Sequence, residues 1–187
     1  MNVPPRVTDL ATDYHWRSTT ASDINEHLPT FVDLVQVLNA QHVIELGTRS
    51  GVSTVGWLHG LTATGGHLTS IDLSPRPDLD DYEGWTFIQG DDLDEAIVSA
   101  LEPAEIVFID TSHTYEQTVA ELERYRHLVK PGGVIVLHDT ENRIPLDAPR
   151  RPLFPVKRAI KEFAEANGLD WFNYPNNYGL GIIRMKG

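Results

Sequence analysis

The sequence predicts an α/β fold: a doubly wound sheet, mostly parallel, with an antiparallel last strand. Three observations carry this expectation. Short apolar runs alternate with amphipathic stretches, so helices separate the strands and must act as crossovers. A Gly-rich turn, Gly47-Thr48-Arg49-Ser50-Gly51, follows the first apolar run, where an open α/β sheet binds its ligand. The two closing runs lie too close together for a crossover, so they must pair antiparallel.

Taken in order, residues 1–30 read as a helical extension. Thr20-Ala21-Ser22-Asp23 with Glu26 marks a helix start, and Pro29 opens a second helix. HVIEL at 42–46 is the first strand, followed by a helix from about 50 to 59. Strands are expected at 66–73 and 85–89, a helix at 92–101, and a strand at 104–110. The longest helix spans about 115–129, with Val119, Leu122, Tyr125 and Leu128 on one face. Lys130-Pro131-Gly132-Gly133 stops it, and 134–139 is apolar enough for a central strand. A helix over 156–167 ends at Gly168, and strands at 170–174 and 179–185 flank a turn-rich PNN. Residues 140–155 hold four prolines and little periodicity, which makes them a candidate lid over the site.

The 187 residues suit one domain with a sizeable core. Fifteen Lys and Arg stand against 27 Asp and Glu, a net charge of −12, which disfavours nucleic acid and anionic membrane as partners. With no Cys, disulfides, thiolate zinc sites and a cysteine nucleophile are excluded. No apolar run approaches the ~18 residues of a membrane helix. The start lacks a signal-peptide stretch, so the expected setting is the cytoplasm. The charge is uneven: acids dominate from Asp72 to Glu105, and bases from Arg143 to Lys161. Such blocks are either solvated faces or an acidic rim and a basic lid for ligands of opposite sign.

The turn after the first strand is neither a dinucleotide fingerprint nor a P-loop, because its spacing is G-x-x-x-G and no Gly-Lys-Ser/Thr follows. Glu45 sits two residues before Gly47, where it would repel a pyrophosphate but favour an ammonium or sulfonium. The helix start beyond Gly51, with the Ser53 hydroxyl, suits a carboxylate. Asp72, ending the second strand, is placed for a ribose diol, and Asp91, after the third, for an adenine amino group. An amino acid, a ribose and an adenine together describe S-adenosylmethionine. The opposing reading is a tight βα turn with capping or surface acids.

The run Glu45-Leu-Gly-Thr-Arg-Ser-Gly-Val-Ser53, the acid at Asp72, Gly90-Asp91-Asp92 and the Pro-Gly-Gly turn resemble class I S-adenosylmethionine-dependent methyltransferases. Phe108-Ile-Asp-Thr-Ser-His-Thr-Tyr115 and Lys130-Pro-Gly-Gly-Val-Ile-Val-Leu-His-Asp-Thr140 are similar to a small O-methyltransferase group within them. That group includes macrocin-type sugar methyltransferases and cephalosporin hydroxylase-like proteins. The resemblance covers about residues 20–187. It implies a Rossmann-like seven-stranded sheet and cofactor contacts at Glu45, Gly47, Thr48, Ser53, Asp72, Asp91 and Asp92.

Asp110 ends the fourth strand and His138-Asp139 the fifth, neighbouring positions in this topology. Methyl transfer to an alcohol needs a deprotonated, aligned hydroxyl, which a divalent ion can supply. The resemblance implies metal carboxylates at Asp110 and after the fifth strand, and this chain departs there with His at 138. Asp110 and Asp139 are therefore expected to hold Mg²⁺, with His138 as a candidate base. Mn²⁺ with His138 as ligand is the competing account. His113 is the other candidate base, and could instead stack on adenine or orient a carboxylate. The expected acceptor is a small-molecule hydroxyl, foremost a sugar or glycoside such as a mannoside. The alternatives are a non-catalytic cofactor-binding module and metal-independent methylation of a phenol or antibiotic. A homodimer through the extension or the lid is a further expectation.

Overall fold

The apolar run at 42–46 becomes β1 (His42–Leu46), buried along its whole length, and the sheet extends from it on both sides. The computed structural model describes residues 9–142 and 154–187. Their elements are α1 (Leu10–Thr19), a 3-10 turn (Asn25–His27), α2 (Leu28–Leu38), β1, α3 (Val52–Leu61), β2 (His67–Asp72) and β3 (Trp85–Gln89). There follow α4 (Glu95–Val98), β4 (Ala104–Ile109), α5 (Tyr115–Tyr125), β5 (Val129–His138), α6 (Pro155–Asn167), β6 (Asp170–Tyr174) and β7 (Leu180–Arg184). The strand order is β3-β2-β1-β4-β5-β7-β6. Strands β1 to β5 run parallel, while β7 is antiparallel to both β5 and β6. The predicted sheet, mostly parallel with a reversed last strand, is the observed one.

Side chains alternate across each strand, so the sheet feeds two cores. Val43, Ile106, Phe108 and Val136 pack with Phe31 of α2 and Trp57 of α3 on one face. Ile44, Val107, Ile109 and Ile135 pack with Leu122 and Tyr125 of α5 and Ile160 and Phe163 of α6 on the other. On the first face Phe31 stacks on Trp57 with ring centroids 4.1 Å apart and tilts against Phe108 at 5.2 Å.

Helix α1 falls within the expected helical extension, which set no bounds for it, and forms because Asp9 caps it, accepting from Ala11 and Thr12 N–H groups. Three local expectations are corrected. The supposed helix start at Thr20–Glu26 is only the 3-10 turn, held by Ser22 Oγ accepting from Asn25 N; Pro29 does open α2. Helix α4 is one turn long, capped by Asp94. The Lys130–Gly133 stretch lies inside β5, where the register against β4 jumps from Ala104↔Val129 to Ile106↔Val134. A Cβ on Gly133 would stand 2.5 Å from the Glu105 carbonyl oxygen, so the bulge needs glycine. Most of the expected lid at 140–155, with Arg143, Arg150 and Arg151, lies outside the described residues.

Truncating Phe31 leaves a cavity between two rings and the sheet. Phe31→Ala is expected to lower stability by about 3–5 kcal/mol, seen as a lower urea midpoint at unchanged slope. A shift below about 1 kcal/mol would show that α2 is not part of the cooperative core.

Candidate active site

The strand order reverses between β1 and β4, so the loops leaving these strands diverge and open a crevice at their C-terminal ends. The turn after β1 is confined there. Gly47 has φ +85°, and a Cβ on it would meet the Asp110 carbonyl oxygen at 2.1 Å, so no other residue fits. Gly51, at φ +77°, starts α3. Asp72, at the end of β2, fastens the turn: its Oδ2 accepts from Thr48 N at 2.7 Å, Thr48 Oγ1 at 3.0 Å and Arg49 N at 3.0 Å. Its Oδ1 accepts from Ser74 N at 2.7 Å. Burial opposes the Asp72 charge, but the N–H donors of Thr48, Ser74 and Arg49 outweigh it and hold the carboxyl below its ordinary range.

The cleft at this point has a volume of about 450 Å³, within the range of small-ligand sites. Of the expected residues, Gly47, Thr48, Asp72, Asp91, Asp92, Asp110 and His113 line it. Glu45, Ser53, His138 and Asp139 do not. Glu45 is wholly buried, its carboxyl accepting from Ser53 Oγ at 2.6 Å, Thr54 Oγ1 at 2.8 Å and Ser70 Oγ at 2.6 Å. It ties β1 to β2 and α3, and Ser53 spends its hydroxyl on it. The sequence reading passed over Arg49, Thr111 and Gln117, which also line the cleft. Gln117, two residues after Tyr115 on α5, carried no spacing signal.

At the other end of the cleft four side chains meet. His113 Nε2 stands 2.9 Å from Asp110 Oδ1 and 3.0 Å from Asp139 Oδ2. His138 Nδ1 stands 3.5 and 3.3 Å from the same two oxygens. Both His113 (φ +56°) and Asp139 (φ +61°) occupy the left-handed region, a strained conformation that clusters at functional sites. His138 is buried, and its Nε2 donates to the carbonyls of Asp23 and Asn177, each at 3.1 Å. The segment before α2 and the turn between β6 and β7 thus clamp it from behind. Burial works against charge on both imidazoles, yet Asp110 and Asp139 push each up to about 10. Burial likewise opposes the two carboxylates, and the histidines hold them below their ordinary range.

A seven-stranded sheet of this order, with carboxylates at successive strand ends around one cleft, defines a Rossmann-like methyltransferase fold. Residues 44–140, just over half of the chain, match a family described as a methyltransferase domain, and the chain belongs to that family. A curated relative, the O-methyltransferase ankF of Aspergillus thermomutatus, is 26% identical over 110 residues. The match takes in 54% of this chain and 46% of the relative, so the chain spans about half the length of that relative. The structure of the O-methyltransferase from Bacillus cereus in complex with SAH has a TM-score of 0.68 at 19% identity, covering 97% of this chain and 92% of that one. MycE methyltransferase from the mycinamycin biosynthetic pathway, in complex with Mg and SAH, has a TM-score of 0.69 at 17% identity, covering 97% and 55%. At these identities the likeness is one of fold.

Buried Glu45 makes folding pH-dependent. Removal from water pushes its carboxyl up to about 7, against the lowering effect of its three hydroxyl donors. The folded chain then holds this proton more tightly than the unfolded chain, whose ordinary value is 4.5. Its contribution to stability is full below that value and is lost as pH rises through about 7. Glu45→Gln is therefore expected to flatten the pH 5–8 stability profile by on the order of 2–3 kcal/mol, measured as urea unfolding at each pH. Parallel profiles for the two proteins would refute the assignment.

Proposed function

We propose that this chain is an S-adenosylmethionine-dependent O-methyltransferase that methylates a hydroxyl of a small molecule, foremost a sugar or glycoside. The observation that carries the reading is the single cleft joining Asp72, Asp91 and Asp92 at one end to Asp110 and His113 at the other. Asp72 Oδ1 accepts from the Ser74 N–H and keeps capacity for a ribose hydroxyl. Asp91 and Asp92 offer acceptors for an adenine amino group. The negative field of these acids favours a cationic sulfonium. Family membership and the SAH in the Bacillus cereus structure support the same cofactor.

A divalent ion suits the far end of the cleft. Asp110, His113 and Asp139 each offer one donor atom, all within 4.8 Å of one another. His138 Nδ1 is buried without a hydrogen-bond partner and faces the same two carboxylates. Asp110 and Asp139 would hold the ion with His113, and a donor set containing imidazole suits Mn²⁺ at least as well as Mg²⁺. Such an ion, when bound, lowers the pKa of an acceptor hydroxyl and orients it. His113 lines the cleft and serves as a ligand when an ion is bound; as a base it belongs to the metal-independent reading, where it must first lose the proton that the two carboxylates favour. His138 has Nε2 committed to two carbonyls and serves to orient the carboxylates. Exposed Tyr174 and Tyr178 stand at the same edge of the sheet and offer aromatic faces to a sugar. A second reading, favoured by the existing contacts of His113 with both carboxylates, is metal-independent transfer to a more acidic phenol.

Two outcomes test these assignments. Asp72→Asn is expected to weaken S-adenosylhomocysteine binding about 10- to 100-fold by calorimetry, the cost of a charged hydrogen bond; unchanged affinity removes the ribose assignment. In a radiolabelled methyl-transfer screen over glycosides, phenols and hydroxylated antibiotics, transfer to a glycoside should vanish in EDTA and return with Mg²⁺ or Mn²⁺. Full activity in chelator selects the metal-independent reading, and cofactor binding without transfer to any acceptor leaves a non-catalytic module.

A further inference from the structure

The adenine end of the cleft rests on a buried pair of acids, of which Asp92 lines the cleft and Glu121 does not. Asp92, in the loop after β3, and Glu121, on α5, are both buried, and one nitrogen, Gln117 Nε2, reaches both carboxyl groups, which makes them close neighbours. Glu121 Oε1 accepts from Thr111 Oγ1 at 2.5 Å. Its Oε2 is buried with no donor in reach. Gln117, one turn before Glu121, spans the pair: its Nε2 stands 3.1 Å from Asp92 Oδ1 and 3.1 Å from Glu121 Oε1.

Two neighbouring carboxylates inside a protein cannot both stay ionised, so one proton is shared between them. That proton satisfies the orphaned oxygen of Glu121. Both amide N–H groups of Gln117 are then spent on the acids, and the polar group left to this cleft-lining side chain is its carbonyl. The adenine end is in consequence a cluster of acceptors: the Gln117 carbonyl beside the Asp91 and Asp92 carboxylates. Acceptors of this kind fit a purine bearing an exocyclic amino group and clash with one bearing a carbonyl at the same position.

We propose that Glu121 is a positioning residue, holding Gln117 and Asp92 as an acceptor pair for the amino group of the cofactor's adenine, with Gln117 the residue that sets purine specificity. The inference rests on the cofactor reading above. Geometry carries it, and burial agrees, pushing the Glu121 carboxyl up to about 8. The groups facing the pair are Asp91 from its own loop, Asp72 from β2 and Tyr125 from α5. Arg124, also on α5, turns to Glu95. Loss of the shared proton thus adds charge to an already acidic corner and drives Asp92 and Glu121 apart.

The test is calorimetric titration with S-adenosylhomocysteine and its 6-oxo counterpart, S-inosylhomocysteine, at pH 7.0 and 9.5. The wild-type chain is expected to prefer the adenine ligand by about tenfold or more at pH 7.0, a preference that Gln117→Met reduces to below about threefold. Wild-type affinity for S-adenosylhomocysteine should fall at least about fivefold by pH 9.5. Glu121→Gln, whose amide N–H replaces the carboxyl O–H, should lose less than about twofold. A flat wild-type profile, or an equal fall in Glu121→Gln, overturns the role of Glu121. Undiminished purine preference in Gln117→Met overturns the acceptor assignment, and that arm decides alone if Glu121→Gln does not fold. Absence of S-adenosylhomocysteine binding by the wild-type chain overturns the cofactor reading and this inference with it, whereas binding without discrimination overturns this inference only.

Discussion

The approach of Gly47 to the Asp110 backbone is the constraint on which the site depends. Asp110 N donates to the Leu46 carbonyl at 2.8 Å, and Gly47 N donates to the Ile71 carbonyl at 2.8 Å. Three strand ends are stitched together at the point where the sheet order reverses. Any side chain at 47 would force β1 and β4 apart, and the carboxylates of Asp72 and Asp110 would lose their common cleft. The turn is tight for a steric reason, and the ligand site follows from that tightness.

Around this point the acids divide by environment. Asp72 is surrounded by N–H and O–H donors and stays charged. Asp110 and Asp139 stay charged because two imidazoles face them. Glu45 and Glu121 have hydroxyl or amide donors but no cation, so burial favours their neutral forms. One functional group, the carboxyl, thereby supplies charged acceptors at the cleft and neutral hydrogen-bonding groups beneath it. The N-terminal segment completes the site from outside: the Asp23 carboxylate pairs with Arg49 at the cleft, and the Asp23 carbonyl receives His138.

Much of the fold was legible in the sequence. Strand β1, strand β6 and the reversal of β7 follow from apolar runs and loop lengths, which are local properties. The misread or unbounded elements are those that local pattern does not control. The Pro131-Gly132-Gly133 stretch looks like a stop signal, yet it belongs to β5 because the Glu105 carbonyl crowds Gly133 across the sheet. Helix α1 has little apolar periodicity, and its Asp9 cap and its packing against α3 were needed to define it.

For the site, the sequence alone determined which strand ends carry acids, since Asp72, Asp91, Asp110 and Asp139 each end or follow an apolar run. It also determined the acidic field, which comes from composition and position. Only the tertiary structure decided which of those acids line the cleft. Strand residues alternate between faces, and burial depends on packing from distant elements, so Glu45 lies beneath the cleft while Asp72 lines it. The same holds for His138, whose surroundings come from Asp23 and Asn177, far away in the chain. Gln117 and Glu121 were invisible for a related reason: their roles exist only through contact with Asp92 on another loop, and spacing along one helix cannot encode that contact.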